Sequence, residues 1–135
     1  RFLQKVHKIK ISGKDIYDKL FKIARTYLDI VLSENGLALY RVVASETPRF
    51  PELGRRFYLA GPEKINNIVE EILQQAESKG EISLGGIGRN AVASLFVNMV
   101  RGEPQIQCLS STSAAQRDQW AKDAVNAFLL AFRKG

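Results

Sequence analysis

From residue 16 onward, apolar side chains return every three or four positions. Ile16, Leu20, Ile23, Ala24, Tyr27 and Val31 form one such series, and Ile65, Ile68, Val69, Ile72, Leu73 and Ala76 form another. That spacing puts each series on one face of an α-helix, and nowhere does a convincing period-two alternation mark a strand. The chain is therefore expected to be all-α, a bundle of about six helices with short connections. The first helix is predicted to begin after Ser12 and Gly13 and to stop near the "SENG" run at 33–36. A shorter one follows over 37–45, although "YRVVA" is rich in β-branched residues. The 65–76 stripe ends at Lys79 and Gly80, a usual left-handed stop. Two more helices are predicted over 87–101 and 114–133.

Three of the four prolines fall within "ETPRFPELGRRFYLAGPEKI", residues 46–65. Pro48 is expected to push Thr47 out of helical geometry and to end the helix before it. Pro51 followed by Glu52 has the form of a first helical turn, where the missing N–H costs nothing and a carboxylate meets the positive end of the dipole. Pro62 and Glu63 repeat the arrangement, with Gly61 free to close the preceding turn. The stretch is thus predicted to be a sharp corner, a short helix carrying Phe50, Leu53 and Phe57, and a break into the longer helix beyond.

With 135 residues, 45% of them hydrophobic and 25% charged, the chain has the size and composition of one domain with a buried core. No apolar run reaches the roughly 18 residues of a membrane span, and "RFLQKVHKIKI" lacks the unbroken apolar core of a signal peptide. A soluble cytoplasmic protein without membrane contact is expected. The formal net charge is +6, and residues 1–25 hold eight basic against two acidic groups, so the whole excess lies at one end. Such a surface suits the neighbourhood of nucleic acid, and equally a solvated helix face.

Chemistry-bearing residues are sparse. His7 is the single histidine and Cys108 the single cysteine, so an ordinary zinc site or an internal disulfide cannot be assembled. "GGIG" at 85–88 follows no strand and lacks nucleotide-binding spacing, which leaves it a helix connection. Glu46 and Glu52, separated by the proline corner, form no acid–base pair and are expected beside Arg49, Arg55 or Arg56. No enzyme activity and no cofactor are expected.

The run "RVVASETPRFPELGRRFYLAGPEKI…ILQQAESKGEI", followed by "AVASLFVNMVRG" and an aromatic-rich last helix, resembles the C-terminal domain of TetR-family transcriptional regulators of the AcrR-like group. The resemblance spans most of 14–133 and is most specific at "RFPEL…FY…GP"; "SLGGIGRNA" at 83–91 departs from it. It implies an all-helical domain that binds a small effector and pairs with itself behind an N-terminal helix-turn-helix domain that contacts operator DNA. Residues 1–12 would then be the end of the helix linking the two, the helix-turn-helix segment itself being absent from this sequence. It also implies an effector-driven population shift between arrangements of a dimer, by default relieving repression; a coupling of ~1–3 kcal/mol changes affinity roughly 5- to 150-fold.

The last helix supports self-association by itself. Its apolar residues cover roughly 200° of the surface, where one buried face needs about 100°. Trp120, Ala121, Ala124, Ala127, Phe128 and Ala131 are the expected homodimer contacts, with helices 87–101 and 114–133 pairing with their symmetry mates as a four-helix bundle. A ligand pocket between helices would draw on Leu20, Tyr27, Phe57, Ile68, Ile72, Phe96 and Met99, with Tyr58 and Asn98 as orienting groups. No inward cluster of charge is apparent, so a hydrophobic or amphipathic effector is expected. The alternative is a freestanding helical dimerisation module whose packed core senses no ligand.

Overall fold

The structure is a computed structural model in which residues 9–107 and 112–133 are described. His7, Cys108 and the basic residues before Ile9 lie outside them. Among the described residues six α-helices carry the fold: α1 (Ile16–Val31), α2 (Glu34–Glu46), α3 (Pro51–Ala60), α4 (Pro62–Ser78), α5 (Arg89–Ile106) and α6 (Ala114–Phe132). Among the described residues there is no strand. A single isolated antiparallel bridge joins Ile82 to Arg133, where the Ser83 N–H donates to the Phe132 carbonyl at 2.9 Å. Residues 9–13 are not helical, so the described part of the expected linking helix takes another form.

Helix starts follow from local capping. α1 begins at Asp15 rather than at Ser12, because the Asp15 carboxylate accepts the Asp18 N–H at 2.9 Å. α2 starts earlier than its apolar pattern: the Ser33 hydroxyl accepts the Gly36 N–H at 3.1 Å. Gly36 sits so close to the end of α1 that a Cβ there would lie 2.3 Å from the Ile30 carbonyl oxygen. α6 opens on a reciprocal cap in which Ser113 and Gln116 each accept the other's backbone N–H.

The proline corner differs from expectation in one respect. Thr47 keeps helical dihedrals (φ −59°, ψ −38°) despite preceding Pro48. α2 stops instead because Pro48 has no N–H to offer the Ala44 carbonyl, and by Phe50 the chain is outside the helical region (φ −128°, ψ 80°). Pro51 and Pro62 occupy first-turn positions, and Gly61 is at once the end of α3 and the start of α4.

α5 also runs further than predicted, past Gly102 and through Pro104 to Ile106. A proline inside a helix deprives the carbonyl four residues earlier of its donor, here Val100. The indole N–H of Trp120 on α6 supplies the replacement, donating to the Val100 carbonyl at 2.7 Å. Trp120 therefore bonds within its own chain.

α1 occupies the middle of the bundle, in contact with α2, α4, α5 and α6. Leu20, Leu28, Ile72, Leu73, Phe96 and Phe128 are its largest buried neighbours and members, and Phe96 meets Phe128 edge-on at 5.0 Å. α3 contributes no fully buried residue to this core. The α2–α3 corner thus lies over the bundle rather than within it.

Candidate functional site

A cavity of about 490 Å³ opens beneath that corner, within the range of small-molecule sites. Tyr27 comes from α1, Tyr40, Val43 and Ala44 from α2, Thr47 and Pro48 from the corner, Gly54, Phe57 and Tyr58 from α3, Pro62 from α4, and Arg101 and Gln105 from α5. Its shape follows from the proline punctuation. Pro48 ends α2 above the bundle, and Gly54 lets α3 fold back closely, since a Cβ there would lie 2.8 Å from the Thr47 methyl. The deeper interior is closed by comparison, with a void of only about 10 Å³ among Ile23, Tyr27, Ile65, Phe96 and Val100.

The polar groups of the cavity are few and one-sided. Arg101 Nη1 donates to the Tyr27 hydroxyl at 3.0 Å, and Nη2 to Asn98 Oδ1 at 2.8 Å. Burial pushes the Tyr27 hydroxyl above its ordinary value, an effect that the neighbouring guanidinium opposes, so Tyr27 is a neutral phenol whose proton remains available. Gln105, only 8% exposed, has no side-chain hydrogen bond among the described residues. Tyr58 accepts from Asn66 Nδ2 at 3.2 Å, while the buried Asn66 Oδ1 has no partner among the described residues. No aspartate or glutamate lines the cavity.

Of the residues selected from sequence, Tyr27, Phe57 and Tyr58 meet here. Leu20 and Ile72 are core residues, and Ile68 packs against that core. Phe96 reaches only the small inner void. Asn98 and Met99 are exposed on α5, and Asn98 acts from outside by holding Arg101. Arg101 is a single charge on these walls rather than a cluster, and it was not among the expected pocket residues, while Gln105 lies beyond the expected end of α5 at 101. Carrying the helix through Pro104 places 101 and 105 one turn apart on the same face, and that is the signal that finds them.

The expected dimer contacts separate in the same way. Ala121, Ala124 and Phe128 are buried in the chain's own core, so they are not surface for a partner. Ala127 and Ala131 are exposed, and of the large apolar residues on α6 Trp120 is 36% and Leu130 88% exposed. On α5 the outward apolar residues are Leu95, Met99 and Ile106.

Among the described residues no cluster of His, Cys, Asp and Glu could hold a metal ion, and no helix is long and apolar enough to cross a membrane.

Residues 18–134 match the family model described as AefR-like transcriptional repressor, C-terminal domain. No curated protein matches the chain. Among solved structures, a protein assigned to the TetR-family transcriptional regulators from Mesorhizobium loti MAFF303099 is similar with a TM-score of 0.78 at 22% identity, over 98% of this chain and 66% of that one. A TetR transcriptional regulator from Agrobacterium tumefaciens gives 0.75 at 18% identity, over 98% and 69%. The flavonoid-responsive regulator FrrA gives 0.74 at 21% identity, over 98% and 71%. At these identities the likeness is one of fold, and the chain spans about two thirds of the first structure's length.

Proposed function

The chain belongs to the family of AefR-like repressor C-terminal domains of TetR-type regulators, and from that premise we propose that it is an effector-binding and dimerisation domain. The observation that carries the reading is the cavity beneath the α2–α3 corner, whose apolar and aromatic walls enclose a few polar groups. An amphipathic effector with an aromatic body fits it, the body lying against Val43, Pro48 and Phe57. The flavonoid response of the structurally similar FrrA supports an effector of that character.

A second copy of the chain is the partner proposed for the outward faces of α5 and α6, where Leu95, Ile106 and Leu130 are exposed. In the protein that carries this domain, a preceding helix-turn-helix segment would bind operator DNA. Effector binding that moves α5 relative to its mate would then change the spacing of the two DNA-binding segments and weaken repression.

Thermal unfolding with and without neutral aromatic amphiphiles tests the ligand-binding part. A compound at 100 times its Kd adds about 2.7 kcal/mol of stability. N-phenyl-1-naphthylamine is expected to raise the Tm of the wild-type chain and to have much less effect on Ala44→Trp, which fills the cavity from its exposed rim. No stabilisation by any such compound, or an equal response from Ala44→Trp, would overturn the reading.

A further inference from the structure

The distribution of polar groups in the cavity is more specific than the reading it rests on, namely that the cavity is an effector site. Every charged group on its walls is a cation: Arg101 lines it, and no carboxylate does. Arg101 makes no ion pair among the described residues, its two hydrogen bonds going to the neutral oxygens of Tyr27 and Asn98. Arg25 and Arg117, by contrast, pair with Asp29, and Arg89 with Glu77, while Arg41, Arg56 and Arg133, which have no ion pair among the described residues, are exposed to solvent. One turn along α5, Gln105 lines the same cavity, and its amide makes no side-chain hydrogen bond among the described residues. A guanidinium facing a low-polarity space without a counter-charge, next to an unpaired amide and a phenol proton, is a set of donors that lacks an acceptor.

We propose that the effector carries an anionic group, a carboxylate or sulfonate on an aromatic body, which pairs with Arg101 and accepts from the Gln105 amide and the Tyr27 hydroxyl. Tyr27 and Asn98 hold the guanidinium in place before the ligand arrives, so little side-chain freedom is lost on binding. The planar fork favours two-oxygen acceptors over a point anion. Phe57 and Pro48 receive the aromatic part, and the anion is what distinguishes an effector from other apolar molecules of similar size.

Two dyes sharing one aromatic skeleton test this on the chain itself: 8-anilino-1-naphthalenesulfonate, which is anionic, and N-phenyl-1-naphthylamine, which lacks the sulfonate. Kd values come from fluorescence titration of wild type, Arg101→Met and Arg101→Lys, with Lys122→Met removing a charge from the exposed side of α6. Arg101→Met is expected to weaken the sulfonate at least about tenfold more than the neutral dye, as loss of a charge-assisted hydrogen bond does. Arg101→Lys should recover part of the loss, and Lys122→Met should leave the sulfonate Kd in place. Equal weakening of both dyes by Arg101→Met, or an equal loss from Lys122→Met, would overturn the anion assignment while leaving the cavity an effector site. Failure of wild type to bind either dye would remove the effector site and this inference together.

Discussion

Trp120, an expected dimer contact that is 36% exposed, also has a task inside its own chain. Its place on a broad apolar face makes it a natural contact for a partner, yet its indole N–H is committed to the Val100 carbonyl that Pro104 leaves without a donor. Replacing it with phenylalanine keeps most of the apolar area and removes the donor, so a buried carbonyl is left unpaired at a cost of about 1–3 kcal/mol. Urea denaturation of Trp120→Phe measures this directly. Adding Pro104→Ala returns an N–H to the Val100 carbonyl, and the double variant should therefore lose less than Trp120→Phe alone; purely additive losses would show that the two residues are not coupled. The consequence reaches the cavity, because the same hydrogen bond carries α5 far enough to set Gln105 beside Arg101.

At the scale of elements, glycine positions separate close approach from plain helix weakness. Gly36 lies against backbone oxygens of α1, so Gly36→Ala is expected to destabilise by about 1–3 kcal/mol even though alanine is the better helix former. Gly102 on α5 has nothing within 4 Å of an added Cβ, and Gly102→Ala is expected to stabilise by roughly 0.4–1 kcal/mol. Opposite signs in denaturant midpoints check the pair. These two glycines also mark what a sequence makes legible. The apolar stripes located α1 and α4, and proline chemistry located the starts of α3 and α4, because both signals are local. Thr47 keeps its helical dihedrals, α2 ending through the donor that Pro48 lacks, whereas α5 continuing through Pro104 is settled elsewhere, by an indole on another helix. For the same reason Tyr27 and Phe57 could be picked from their apolar pattern, with Tyr58 as a polar orienting group, whereas Arg101 and Gln105 could not.

For the whole molecule, the outward faces of α5 and α6 hold the proposed contact with a second copy, and Leu130 is its most exposed large apolar residue. Sedimentation equilibrium should find a dimer for wild type and a shift toward monomer for Leu130→Glu, which sets two like charges near the two-fold axis; an unchanged mass for Leu130→Glu would move the interface elsewhere. The proposed ligand site lies on another part of the bundle, under a corner whose α3 helix adds nothing fully buried to the core and so belongs among the less stable elements. The claim that this corner is where an effector acts is tested most directly by amide hydrogen exchange of the chain with and without bound N-phenyl-1-naphthylamine. Slowed exchange concentrated in residues 40–62, with a smaller effect at 101–105, is the predicted result. Protection confined to the outer faces of α5 and α6, or none anywhere, would contradict it.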